Sequence, residues 1–293
     1  MIKYVRTIKS GVVGDDVLSV KTFLFKRGYY SDKITAITHN KCGADTVDAI
    51  KNLQTALGIK VDGKCGPETL SYINALIFIR DNSFNNITLD TLAIIFKDLQ
   101  KSTDERIEIC LKALVECTEP KCAESGVIPK SLYIRGGNLY NKDRKKNIIT
   151  ISKLKTYKKN YADYCTKGRY DFMVGVVEKN EEVSGCDCSG APVGIYRALG
   201  ILPKDFDANA NSLLSTKYSK VIVRANLKPA DFCGKEGHIG IYVGGGYTAE
   251  WAGGEYGCQL SGTVNRKLWS YTDKRYENLK PWTKWRRPKF YGS

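Results

Sequence analysis

An α+β architecture in two domains follows from three features of the sequence. Apolar residues recur at helical spacing through the first third of the chain, as helices packed on a core require. Beyond it the pattern becomes mixed and ends in runs of β-forming residues divided by glycines, as in antiparallel hairpins. At 293 residues the chain is also long enough for two hydrophobic cores.

Composition narrows the field. Apolar residues make up 42% and charged residues 26%, the balance of an ordinary globular protein. No run of about 18 apolar residues occurs, so no membrane-spanning helix is expected. Met1 to Ser10 lack the apolar stretch of a secretory leader. The expectation is a protein made in a cytoplasm and kept there until a route other than the secretory one releases it. Lys and Arg number 46 against 31 Asp and Glu, a net charge of +15, which predicts an anionic partner surface. The excess gathers in Lys142 to Lys159 and in Lys280 to Lys289, where Trp282 and Trp285 are interleaved. Basic residues between aromatics could stack on single-stranded nucleic acid. No nucleic-acid motif accompanies them, so they read as a solvated basic face.

Ten cysteines without a leader read as reduced thiols rather than a disulfide framework. Cys186 and Cys188 flank one residue and Cys117 and Cys122 flank four, and no second pair completes a zinc site. No metal or cofactor is expected. Only two histidines exist, His39 and His238, so any Cys–His catalytic pair must use one of them. His39 lies in a polar loop.

The first 80 residues contain an echo. Cys42-Gly43-Ala44-Asp45-Thr46 and Cys65-Gly66-Pro67-Glu68-Thr69 each place a turn before an apolar-periodic helix. Helices are predicted over Asp16 to Arg27, Ala44 to Leu57 and Pro67 to Ile79, with Pro67 suited to a first turn. Val17, Val20, Leu24 and Val47, Ile50, Leu53, Leu57 form their core stripes. Residues 81–103 read as a connector, and a further helix is expected from Thr103 or Asp104 to Glu116.

Gly14-Asp15-Asp16-Val17, Arg27-Gly28-Tyr29-Tyr30 and Val61-Asp62-Gly63-Lys64-Cys65-Gly66-Pro67-Glu68-Thr69 resemble the three-helix peptidoglycan-binding domain of wall hydrolases. The resemblance covers about residues 1 to 80 and implies wall binding. That family has an aromatic where Cys42 and Cys65 stand; both read as small buried hydrophobes.

In the second half, Gly185-Cys186-Asp187-Cys188-Ser189-Gly190 precedes an apolar helix ending at Gly200. A cysteine just before a helix faces backbone N–H groups and the helix dipole, which predicts an acidified thiol; a turn cysteine without a role is the other reading. Further on, Gly237 to Val243 and Tyr247 to Ala252 read as a hairpin around Gly244-Gly245-Gly246. A three-glycine loop sets Val243 opposite Tyr247 and Gly240 opposite Glu250, which leaves His238 diagonal to Glu250 on one face. A carboxylate beside an imidazole can fix its tautomer, as in Cys–His catalysis; a satisfied structural histidine is the bland alternative.

These segments resemble the NlpC-type cell-wall cysteine peptidases, a papain-like α+β family. The match runs through Asp187-Cys188-Ser189-Gly190, Gly200-Ile201-Leu202-Pro203, Leu227-Lys228-Pro229-Ala230-Asp231 and His238 to Gly244. It implies Cys188 as nucleophile, His238 as general base and Glu250 as third member, with Asp187 and Ser189 in support. The family often has His at the third position and Gly where Ala230 stands. Its upstream Tyr-x-x-Gly-Gly fits Tyr133 to Gly137, with Arg135 replacing the usual Trp; Tyr170 or Phe172 with Gly175 is the competing placement. On the first placement residues 138–184 form an insertion within a peptidase domain spanning 104–293. The resemblance further implies cleavage of an amide next to D-glutamate in peptidoglycan. Wall binding joined to wall cleavage resembles a bacteriophage endolysin, held in the host cytoplasm until lysis. An N-acetylmuramoyl-L-alanine amidase or a non-catalytic wall-binding protein are the rivals, and the oligomeric state is open.

Overall fold

The computed structural model describes residues 1–30 and 39–291. They fall into two compact units, Met1–Ser83 with Leu89–Lys101, and Phe84–Thr88 with Ser102–Ser293.

The first unit contains α1 (Asp15–Lys26), α2 (Ala44–Ala56), α3 (Pro67–Asn82) and α4 (Leu89–Leu99). Val17, Val20 and Leu24 from α1, Ile50 and Leu53 from α2, and Leu70 and Ile73 from α3 bury one core, as their spacing predicts. Cys42 and Cys65 are inside it. Each meets another backbone segment closely: Cys65 bridges Ile8, and Cys42 N donates to Val12 O at 2.8 Å. A small side chain fits such a crossing. Burial pushes the Cys65 thiol up to about 12, so it stays protonated. The Val-Asp-Gly turn is held by a buried amide, Gln54. Its Oε1 accepts from the N–H groups of Asp62 and Gly63, and its Nε2 donates to Asp62 Oδ1 and Lys64 O.

The stretch 81–103, read as a connector, is more ordered than that. Leu92, Ile95, Phe96 and Leu99 repeat at i, i+3, i+4 and i+7 and are fully buried. They lay α4 against α3, where the Phe78 and Phe96 rings sit 5.7 Å apart.

The second unit runs α5 (Asp104–Leu114), α6 (Pro120–Glu124), β1 (Ser131–Tyr133), α7 (Ile151–Asn160), α8 (Arg169–Lys179), β2 (Ser184–Cys186), α9 (Gly190–Ala198) and α10 (Ala210–Leu213). The strands β3 (Ser219–Val221), β4 (Phe232–Lys235), β5 (His238–Gly244), β6 (Tyr247–Gly253), β7 (Gly257–Gly262), β8 (Lys267–Ser270), β9 (Arg275–Asn278) and β10 (Lys284–Pro288) follow. Six of them form an antiparallel sheet in the order β3-β10-β4-β5-β6-β7. Helix α5 packs on both β5 and α9. Mixed helix and antiparallel sheet is therefore observed, behind a helical N-terminal unit. The β5–β6 register departs from the three-glycine loop: Gly244, not Val243, pairs with Tyr247 through a bulge. Gly244, Gly245 and Gly246 all have positive φ, which only glycine adopts freely and which lets the chain turn so tightly.

Residues 138–184 carry α7 and α8, whose Leu154, Tyr157, Met173, Val176 and Val177 share a cluster with Leu132, Ile149 and Val183. The lysines Lys155, Lys158 and Lys159 project outward from α7.

One buried carboxylate binds sheet to helix. Asp231 Oδ1 accepts from Arg106 Nη1 of α5 at 3.1 Å, and its Oδ2 accepts from Arg287 Nη2 of β10 at 2.8 Å and from Lys228 N. Removing one partner of a buried pair strands the other charges. Asp231→Ala is expected to lower the unfolding free energy of this unit by about 3–5 kcal/mol in urea titration; a loss under about 1 kcal/mol would show the knot to be dispensable.

Candidate active site

The site grows from a parallel pairing of β1 with β2, in which Tyr133 stands opposite Cys186. Past β1 the chain turns at Gly136-Gly137 and lies directly on the start of α9. Gly136 N donates to Asp187 Oδ2 at 2.8 Å, and Asp187 N donates to Gly137 O at 3.0 Å. A Cβ on Gly190 would stand 1.9 Å from Gly137 O, so the backbone contact demands glycine. Two segments some fifty residues apart in sequence thus form one wall around Cys188.

That wall borders a cleft of about 1030 Å³. Tyr133, Arg135 and Asn138 line it beside Asp187, Cys188 and Ser189, and the segment from Asp207 to Tyr218 lines it too. Asn211 Oδ1 accepts from Gly237 N at 2.9 Å and so ties that segment to the turn before His238. The two competitors of Tyr133 do not line the cleft: Phe172 stacks on Tyr271, and Tyr170 has Lys158 over its ring.

Asp187 caps α9. Its Oδ1 accepts from Ser189 N, Ser189 Oγ and Gly190 N at 2.7–3.0 Å. The acidified thiol expected from the helix start is not found. Cys188 is only 7% exposed. Burial and then the Asp187 carboxylate push its thiol up to about 11, and the N–H groups of Ile239, Ser189 and Cys188 offset this only in part. The helix-start N–H groups of Ser189 and Gly190 are engaged by Asp187, which leaves the N–H of Cys188 itself.

His238 opens β5 and Glu250 lies on β6. A Cβ on Gly240 would stand 2.6 Å from Thr248 Cγ2 and 3.3 Å from Glu250 Cβ, so glycine keeps the path between them open. His238 Nε2 is 2.8 Å from Glu250 Oε2. A carboxylate only accepts, so Nε2 carries the proton and Nδ1 is the basic nitrogen. Cys188 Sγ contacts the Gly237 carbonyl at 3.9 Å, so the sulfur lies against the backbone beside His238. No hydrogen bond joins the thiol to the imidazole in this arrangement.

Two members were not foreseen. Arg266 Nε donates to Glu250 Oε1 at 2.9 Å, and its Nη2 donates to Oε2. Trp282, read with the basic run as a surface aromatic, is 5% exposed and stacks on the imidazole at 5.5 Å and 7°. The Arg266 guanidinium sits 4.4 Å from the centre of the same indole. Neither lies at a motif spacing from His238; only the sheet brings them there. Burial alone would raise the Glu250 pKa, yet hydrogen bonds from His238 and Arg266 outweigh it and hold the carboxyl down at about 2. Burial lowers the His238 pKa, the Glu250 bond works against that, and Arg266 and Lys235 add to the lowering.

Residues 13–73 match the family model of a peptidoglycan binding domain. The N-terminal unit therefore carries a peptidoglycan-binding domain, which supports association with the cell wall and peptidoglycan as a partner. No curated protein and no solved structure matches the chain. Among the described residues no helix is long and apolar enough to cross a membrane, and no cluster of His, Cys, Asp or Glu could hold a metal ion.

Two titrations follow. Iodoacetamide should alkylate Cys188 at a rate that climbs with pH toward about 11, because the resting thiol is protonated. A plateau from pH 5 upward would instead mean a preformed thiolate–imidazolium pair. The depressed Glu250 pKa stabilises the fold above the unfolded carboxyl value, and that contribution is lost as pH falls toward 2. The lowered His238 pKa acts in the same direction below its ordinary 6.5. Acid unfolding monitored by tryptophan fluorescence should therefore flatten between pH 4.5 and 2 in Glu250→Gln; an unchanged slope would remove Glu250 as its source.

Proposed function

We propose that the second unit is a cysteine peptidase acting on the stem peptide of peptidoglycan, with Cys188 as nucleophile, His238 as general base and Glu250 as the residue that orients it. The observation that carries this reading is a cysteine at a helix start in a polar cleft, beside a histidine whose tautomer a buried carboxylate fixes. The resemblance to the NlpC-type, papain-like peptidases supports it, and the wall-binding domain in the same chain supplies the substrate.

The resting pair is neutral, thiol beside imidazole, since burial raises one pKa and lowers the other. As substrate fills the cleft, the Cys188 proton passes to His238 Nδ1. The thiolate then attacks the amide carbonyl, and the N–H of Cys188 donates to the developing oxyanion. The imidazolium, held by the Glu250 charge, returns the proton to the leaving amine. Water attacks the thioester and frees the acid and the thiol. The bond assigned by resemblance joins the γ-carboxyl of D-glutamate to the diamino acid. Arg266 and Trp282 act as positioning residues, one on the carboxylate and one on the ring. Tyr133, Asp187 and Ser189 support the nucleophile, Asp187 through the cap. Wall binding with wall cleavage is the organisation of a lytic enzyme of the bacteriophage endolysin kind, which would reach the wall only at lysis.

Gram-positive walls treated with wild type should lose turbidity and release stem-peptide fragments with a new amino terminus on the diamino acid by mass spectrometry. Cys188→Ala should clear none. A new terminus on L-alanine would make the enzyme an amidase, and equal clearing by Cys188→Ala would refute Cys188 as nucleophile.

A further inference from the structure

We propose that Arg135 is a carboxylate-binding subsite of the cleft, one that reads a free carboxylate on the substrate close to the scissile amide. Resting on the peptidase reading above, it adds to it a substrate class, the stem peptide with an unamidated acidic residue.

Arg135 lines the same cleft as Cys188, and its chain neighbour Gly136 donates to Asp187, the residue before the nucleophile. Its guanidinium is exposed at the cleft and rests on two tyrosines. Nη1 donates to Tyr164 Oη at 2.7 Å, and the group lies over the Tyr164 ring at 4.8 Å and the Tyr161 ring at 5.8 Å. Stacking on two rings restricts a flexible cation at little cost to its donors, because the N–H groups point outward in the guanidinium plane. One of the five N–H groups is used by Tyr164; the others have no acceptor among the described residues. A planar fork of this kind is suited to a carboxylate, which it can hold by two parallel hydrogen bonds. No carboxylate of the chain takes that place: Arg135 has no acidic partner, while the nearby Arg169 of α8 is paired with Glu255 at 2.7 Å. A cation with spare donors on the wall of this cleft fits an acidic peptide, whose carboxylate it would hold. In a γ-glutamyl amide the α-carboxylate of the acyl residue lies three carbons from the scissile carbonyl, within reach of the wall that carries Arg135.

The test uses two stem peptides that differ in one group, the α-carboxylate of D-glutamate or its carboxamide. Wild type should show kcat/KM roughly 10- to 100-fold higher on the acid. In Arg135→Gln that ratio should fall to about one, and Arg135→Lys should restore it only in part, since an ammonium is not a fork. A ratio that survives in Arg135→Gln overturns the subsite, as does a wild type indifferent to amidation. Calorimetric binding of both peptides to Cys188→Ala, with and without Arg135→Gln, separates the subsite from the chemistry. Tighter binding of the acid that depends on Arg135 upholds the subsite even if wild type cleaves neither peptide, a result that would sink the peptidase reading alone. Equal binding of both peptides sinks the subsite and leaves wall cleavage standing.

Discussion

The carboxylate of Glu250 is wholly buried, and much of the site follows from keeping it charged there. An ionised carboxyl out of water costs several kcal/mol unless it is paired and hydrogen-bonded. Arg266 provides the charge and His238 the second donor. Once the carboxylate is satisfied on both sides, the imidazole has one orientation and one tautomer, and its basic nitrogen is Nδ1. Trp282 closes the other direction by stacking on the ring. The strands impose this economy: β5 and β6 are neighbours, Gly240 clears the space between their side chains, and Arg266 comes from the chain beyond β7.

A second constraint is the backbone contact between Gly137 and Gly190, which sets β1's continuation on the start of α9. It sets Tyr133 and Arg135 beside Cys188 and leaves no room for a side chain at Gly190, while one at Gly137 would press on Ile134 O at 3.1 Å. The same contact engages Asp187, whose carboxylate caps the helix and faces Gly136. Capping strengthens the helix start but places a negative charge beside the thiol. Burial first and this charge second keep the Cys188 thiol protonated, and on the proposed mechanism Nδ1 of His238 removes the proton.

Much of the first unit was legible because core burial follows a 3.6-residue period: Val17, Val20, Leu24 and Ile50, Leu53 point inward as read. The fourth helix obeyed the same rule, and its stripe at Leu92, Ile95, Phe96 and Leu99 was overlooked beneath the polar stretch before it. In the site, the diagonal of His238 and Glu250 could be derived from strand pairing because a one-residue bulge near Gly244 does not reach them. Arg266 and Trp282 were out of reach, since no local spacing links them to His238. The thiol departs from the helix-start expectation for a different reason: burial, which no local motif reveals, raises its pKa, and Asp187 adds its charge while taking two of the N–H groups that would acidify a cysteine. Ala230 adopts a positive φ of 71°, so the glycine usual at that position has a backbone reason that the alanine here overrides.

Wall association rests on the N-terminal match, and the proposed chemistry rests on Cys188 passing an acyl group through its sulfur. The most direct test is therefore to look for that acyl group. Rapid acid quench of wild type with a stem peptide, followed by intact-mass and tryptic mass spectrometry, should find a thioester on the peptide containing Cys188, with the mass of the acyl fragment. The adduct should vanish in His238→Ala, where no base removes the thiol proton. Turnover of the peptide with no adduct on Cys188 at any quench time, or an adduct that persists at full rate without His238, would contradict the account.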